Sequence, residues 1–194
     1  MPRIEELDEI VGRFDLNQHP FYQDWRAGSL PIEQLRDYAT EWAPVIATLA
    51  DGWEAVGEPA YAEEEREHDA LWTRFRDSLG RGGEAHHAQS AILLEAARHL
   101  FRARPEALGA LYAFEVQQPA TAQSKLAGLR EHYGAAVDEA GREYFAVHAV
   151  ETDEPAMLAA QLEQLSAGEF ARARTACAIF SAAAWGALDG IYYR

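Results

Sequence analysis

The sequence predicts an all-helical fold, and three observations predict it. Apolar residues recur at steps of three and four along most of the chain, and no stretch alternates apolar with polar residues between hairpin turns. Pro or Gly falls where one periodic run gives way to the next. With neither an internal repeat nor a low-complexity linker, residues 1–194 read as a single helical domain, long enough to bury a sizeable core.

Residues 3 to 15 carry Ile4, Leu7, Ile10, Val11 and Phe14 on one face. His19-Pro20 opens a short helix through Phe21, Tyr22 and Trp25 to Gly28. Pro31 suits the first turn of a long helix whose stripe is Ile32, Leu35, Tyr38 and Trp42, and Pro44 predicts a kink in it. Glu58-Pro59 starts the next helix, which runs through Leu71, Trp72, Phe75 and Leu79 until Gly80-Arg81-Gly82-Gly83 stops it. Residues 84 to 101 form another, with Ile92, Leu93, Ala96 and Leu100 inward. After Pro105 a helix bearing Leu108, Leu111, Tyr112, Phe114 and Glu115 kinks at Gln117-Gln118-Pro119, then resumes through Leu126 and Leu129 to Tyr133-Gly134. One further helix ends near Val150, one spans residues 155 to 166, and the last fills residues 169 to 193.

With 32 acidic against 17 basic residues, the net charge of −15 argues against nucleic acid or an anionic membrane as partner. The longest uncharged run, Thr175 to Leu188, is too short to span a bilayer. Met1 to Asp8 is acidic and lacks the apolar segment of a secretory signal, so a cytoplasmic location is expected. The single cysteine, Cys177, can form neither an internal disulfide nor a thiolate-rich zinc site, and reads as core.

The chemistry concentrates in Glu63-Glu64-Glu65-Arg66-Glu67-His68-Asp69, directly ahead of an apolar run. On a helix, Glu64 or Glu65 shares a face with His68. A Glu-x-x-His pair is what a carboxylate-bridged di-iron centre draws from one bundle helix, and hard carboxylates with imidazole suit iron or manganese. The plain alternative is a solvated acidic face. Glu115 lies among apolar neighbours, where a carboxylate is costly unless a metal or a hydrogen-bonding Tyr or Arg partners it. His148 follows Tyr144-Phe145-Ala146-Val147; Glu151 is three residues on along the same face, and Asp153 five. Its plain alternative is a hydrogen-bonded core histidine. Together these segments supply two imidazoles and up to three carboxylates from three helices, enough for one or two ions. His86, His87, His99 and His132 are weaker candidates.

Four segments carry a resemblance: His19-Pro20-Phe21-Tyr22-x-x-Trp25-x-x-Gly28-x-Leu30, His68-x-x-Leu71-Trp72-x-x-Phe75, Leu111-Tyr112-Ala113-Phe114-Glu115 and Tyr144-Phe145-x-Val147-His148. From about residue 17 to 155 the chain resembles the haem-oxygenase-like di-metal oxidases, and among them the CADD-like p-aminobenzoate synthases of the TenA and PqqC superfamily. The resemblance implies a seven- to eight-helix bundle, usually a homodimer. It also implies one or two Fe ions, or Mn/Fe, in the core, with dioxygen as co-substrate. By motif match, His68, Glu115 and His148 fall on ligand positions. Tyr22 matches the tyrosine that CADD-like proteins consume as aminobenzoate precursor, Lys125 matches their nitrogen donor, and Tyr38 and Tyr144 fall where the family keeps tyrosines near the metal. Three ligand positions depart from the pattern, reading Tyr61, Thr152 and Pro155. Glu64 or Glu65, and Glu151 or Asp153, stand nearby to replace the carboxylates.

The expected activity is therefore that of a non-haem iron or manganese oxidase acting on a small molecule or on its own side chain. Two rival readings are a metal-free protein that binds a small molecule or protein partner in the same cavity, and a thiamin-salvage hydrolase using Cys177.

Overall fold

Each rod placed from periodicity is a helix in the computed structural model, which describes residues 2–80 and 87–193. The helices are α1 (Arg3–Gly12), α2 (Pro20–Ala27), α3 (Ile32–Ile46), α4 (Leu49–Val56), α5 (Pro59–Ser78), α6 (Ala88–Leu100), α7 (Arg104–Glu115), α8 (Gln118–His132), α9 (Glu139–His148), α10 (Asp153–Glu163) and α11 (Ala167–Tyr192), with a 3-10 turn over Leu16–Gln18. No strand occurs among the described residues.

Both expected kinks are present, and both come from proline. Pro44 lies inside α3, and the chain passes into α4 through Ala47 and Thr48 with right-handed helical dihedrals. Val116 and Gln117 join α7 to α8 in the same way, with Pro119 in the first turn of α8. Counting each kinked pair once, seven rods follow residue 30, preceded by short α1 and α2. The α5 stop falls at Ser78, with Gly80 at φ 73°; Arg81 to His86 lie outside the described residues.

In α6 the expected register is off by one position. Leu93, Ala97 and Leu100 face the core, whereas Ile92 is 61% exposed and Ala96 half-buried. Four adjacent apolar residues, Ala91 to Leu94, fit two helical faces, and packing against α11 selects between them.

The central rod is α11, which lies along α7 and α6. Its inner face is small: Ala173, Ala176, Cys177, Ala184 and Ala187 are buried. A Cβ on Gly109 of α7 would overlap the Ala173 carbonyl oxygen, so the two backbones meet directly. On the other side, α5 packs against α9, α3 and α4. Trp72 Nε1 donates to the Ala39 carbonyl at 2.9 Å and fixes α5 to α3. Edge-on rings, such as Phe75 with Phe145 at 4.9 Å and 88°, hold α5 to α9 at about 0.5–1.5 kcal/mol per pair beyond burial. No helix among the described residues is long and apolar enough to cross a membrane.

Candidate metal centre

The α5–α9 packing places His68 beside His148, ring centres 4.4 Å apart. Glu65 and His68 come from successive turns of one face of α5, Glu115 is the last residue of α7 before its kink, and His148 ends α9. The kink at Glu115 is pinned by Gln117, whose amide donates to the Ala113 carbonyl at 3.0 Å and whose oxygen accepts from Leu16 N at 2.9 Å. Three short segments thus end on one point, which is how a bundle directs side chains inward without long loops.

Polar atoms at that point lack partners. Both carboxylate oxygens of Glu65 and of Glu115, His68 Nδ1, His148 Nε2, one oxygen of Glu151 and one of Glu154 are buried with no hydrogen bond among the described residues. Glu65 and Glu115 are each 1% exposed, and His148 is 0% exposed. The histidine–carboxylate approaches are too long for hydrogen bonds: 3.8 Å from His68 Nδ1 to Glu65, 3.7 Å from His68 Nε2 to Glu151, and 3.8 Å from His148 Nε2 to Glu151. Buried groups are almost always paired, so side chains that converge without bonding one another are arranged as the ligands of a cation would be.

Two buried ligand groups share Glu65: one joins it to His68 and His148, the other to Glu115 and Glu154. Glu64 forms a third group with His68 and Glu151 but is exposed. His148 Nδ1–H donates to the Tyr144 carbonyl at 2.8 Å, which leaves Nε2 with its lone pair toward the cluster, the tautomer a ligand needs. Burial lowers the His148 imidazole to about 3, so the ring is neutral. Burial also works on His68, but Glu65, Glu151 and Glu154 outweigh it and leave that imidazole raised. The Glu115 carboxyl is pushed well above its usual range by burial and then by Glu154 and Glu65. Glu154 rises to about 8 from burial and then from Glu65 and Glu151. This donor set, two imidazoles and several hard carboxylates starved of positive charge, fits iron or manganese.

The structure brings together Glu65, His68, Glu115, His148 and Glu151. Asp153 is not among them: it is exposed and joins no ligand group. Its helical step from His148 is broken by the turn at 149–152, after which α10 begins a new register. The residue missed was Glu154, 4% exposed, which that register turns inward. Spacing gives no signal for it, because Glu151 lies in the turn before α10. Tyr61 stacks on Trp53 at 4.8 Å and Thr152 is exposed.

Tyr144 links this cluster to an aromatic cavity. Its ring lies 4.1 Å from that of His148, and its hydroxyl accepts from Gln118 Nε2 at 3.1 Å. The cavity beyond, lined by Tyr22, Tyr38, Trp72, Gln118, Lys125 and Tyr144 among others, measures about 10 Å³, room for about one water. Tyr22 and Tyr38 share a hydrogen bond of 2.8 Å between hydroxyls, and Lys125 Nζ donates to Tyr38 Oη at 3.4 Å. Lys125 is the single lysine of the chain, and it is 3% exposed. Burial with no acidic partner lowers its amine to about 7, a range in which it holds a lone pair. The same burial raises both tyrosine hydroxyls.

The cysteine reading fails on this geometry. Cys177 is buried in α11, lines neither the cluster nor the aromatic cavity, and has its thiol pushed up to about 12 by burial. A thiol in that state is not a nucleophile.

Comparison with known proteins agrees with the geometry. The chain is 30% identical over 176 residues to a 4-aminobenzoate synthase of Chlamydia pneumoniae, covering 75% of this chain and 74% of that one. It is also 30% identical over 175 residues to a 4-aminobenzoate synthase of Nitrosomonas europaea, covering 74% and 71%. It superposes on a TenA homologue from P. horikoshii OT3 with a TM-score of 0.74 at 14% identity, covering 100% of this chain and 99% of that one. A TenA homologue from Pseudomonas syringae pv. tomato gives 0.70 at 18% identity, covering 99% and 91%. At those identities the two solved structures speak for the fold alone. A haem-oxygenase-type family profile described as iron-containing redox enzyme matches residues 53–182, most of the chain and every ligand candidate above. The chain belongs to this family of haem-oxygenase-like, iron-containing redox enzymes.

Proposed function

We propose that the protein forms 4-aminobenzoate from its own Tyr22, with Lys125 as nitrogen donor, at a carboxylate and histidine metal centre. The observation that carries this reading is the burial of the chain's single lysine against a buried tyrosine, in a cavity of about 10 Å³ that admits no external aromatic substrate. A tyrosine side chain and 4-aminobenzoate are both para-substituted rings bearing one carbon opposite a heteroatom. Converting one into the other replaces the phenolic oxygen, which leaves as water, with the Lys125 nitrogen, whose Cε–Nζ bond breaks; the Tyr22 Cα–Cβ bond also breaks as Cβ is oxidised to the carboxyl carbon, with dioxygen as the expected oxidant.

Glu65, His68, Glu115, His148, Glu151 and Glu154 are the residues to hold iron or manganese, and the bound metal supplies reducing electrons for dioxygen activation. The chain's own groups do the rest. Trp72, Tyr38 and Phe114 seal the cavity against water, Tyr38 orients the Tyr22 hydroxyl, and desolvation keeps a share of Lys125 unprotonated so that its nitrogen can attack the ring. The chain serves as its own substrate, so product cannot exceed one molecule per protein. A homodimer is part of the proposal and is checked by light scattering.

The single lysine makes the test direct. Protein grown with lysine labelled at its ε-nitrogen, loaded with iron and manganese and exposed to air with a reductant, should release 4-aminobenzoate carrying the heavy isotope. Tyr22→Phe should release none. Unlabelled product, or none from loaded wild type, sinks the reading.

A further inference from the structure

Between α5 and the start of α10 the surface opens into a depression of about 170 Å³, lined by Tyr61, Glu64, Val150, Glu151, Asp153 and Glu154. Its carboxylates are graded in depth: Glu64 and Asp153 are exposed, Glu151 is half-buried, and Glu154 is 4% exposed with one oxygen unpartnered. The same Glu154 reaches inward to Glu65 and Glu115, and Glu151 lies 3.7 Å from His68 and 3.8 Å from His148. Exposed Glu64 has an oxygen within 4.8 Å of His68 and of Glu151. An unbroken series of oxygen donors therefore runs from solvent to the buried cluster.

The aromatic cavity beside the cluster does not suit a cation. The aromatic cavity has no carboxylate in its lining and carries Lys125. A hydrated divalent ion entering there would shed water against rings and meet an amine, at a cost of several kcal/mol. In the acidic depression each shed water is replaced by a carboxylate oxygen.

We infer that this depression is a loading port for a divalent metal ion: Glu64 and Asp153 form an outer, transient cation site that passes the ion to Glu151 and Glu154 and so to the cluster. The inference rests on the metal-binding reading of that cluster. A concave patch of one charge sign focuses the field and raises the local counter-ion concentration, with on-rate gains of roughly 10 to 10³. The N-terminus of α10 opposes this with about half a positive charge, which the exposed carboxylates of Glu64 and Asp153 outweigh. Tyr61, stacked on Trp53 at 4.8 Å, gives the port a fixed wall. Glu64 and Asp153 thereby serve the centre without being part of it.

The test is the rate at which metal-free protein takes up Mn(II), followed by loss of the free-ion paramagnetic resonance signal, with Fe(II) uptake in parallel. Wild type is compared with Glu64→Gln/Asp153→Asn, and with Glu5→Gln/Glu9→Gln on exposed positions of α1 as a control of equal charge. Asp153→Asn alone is the second variant, and helical circular dichroism checks folding. At low salt the double variant should load roughly tenfold more slowly than wild type and the control unchanged, with the gap closing as salt screens the field. All should reach the same metal content. Wild-type loading speed in the double variant overturns the port, and a lower final metal content makes these residues ligands and overturns it too. If wild type takes up neither metal, the metal-binding reading falls and the port falls with it.

Discussion

Lys125 Nζ lies 4.9 Å from the centre of the Tyr22 ring, over its face, and both side chains are buried. An ammonium over a ring gains about 0.5–2 kcal/mol from the ring quadrupole. Desolvation works against it and wins, since the amine falls from 10.5 to about 7. The pair is an arrangement maintained against the stability of the fold, as functional sites often are.

That balance sets a first prediction. A lysine with a lowered folded-state pKa leaves the unfolded chain binding more protons between about pH 7 and 10.5, so this destabilisation is full below 7 and relieved as pH rises. Lys125→Met should therefore stabilise the fold at pH 7, by on the order of 4 kcal/mol at most, and raise its melting temperature. The advantage should shrink toward pH 10, and 4-aminobenzoate should be lost. A variant that melts below wild type at pH 7 would show the amine to be structurally satisfied.

The α7–α11 contact sets a second. Gly109→Ala places a methyl into the Ala173 carbonyl, and neither backbone can move without shifting the central rod. Overpacking of this kind costs about 1–3 kcal/mol, and backbone contact puts Gly109 at the upper end. Thermal or urea unfolding checks it, with Gly186→Ala on α11, where nothing lies within 4 Å, as the control that should not destabilise.

Most of the helices were legible because their apolar stripes outlast local ambiguity, and both kinks because proline has one meaning inside a helix. Ile92 was misplaced because an uninterrupted apolar run fits two faces, and only α11 decides between them. The cluster was legible wherever ligand and partner share one helix, as Glu65 and His68 do on α5. It was not legible across the turn at 149–152, where helical spacing no longer predicts direction, so the sequence offers Asp153 beside Glu151 and passes over Glu154. The small volume of the aromatic cavity could not be read at all. It depends on Tyr22, Trp42, Trp72 and Tyr144 meeting from four helices.

The cysteine offers a clean negative. Cys177→Ala should cost about 1 kcal/mol of stability from lost packing and leave metal content and 4-aminobenzoate yield unchanged. Its thiol, held at about 12 by burial and set apart from the cluster, has no proton to exchange in the chemistry. An activity loss larger than the loss of folded protein would return the thiol to consideration, and parallel measurement of yield and melting temperature separates the two.

The unpartnered carboxylates predict a reversal of sign. Without metal, Glu115 is buried beside Glu65 and Glu154 with both oxygens unbonded, a cost whether it stays charged or takes up a proton. Glu115→Gln removes the acid and should stabilise the metal-free protein by about 1–3 kcal/mol. With metal the order inverts, because wild type gains about 2.7 kcal/mol at a metal concentration a hundredfold above its dissociation constant, and the variant, short of a ligand, gains less. Melting curves with chelator and with Mn(II) or Fe(II) should therefore cross between the two proteins. A carboxylate serving only as a hydrogen-bonding core group would make the variant less stable in both conditions, and the curves would not cross.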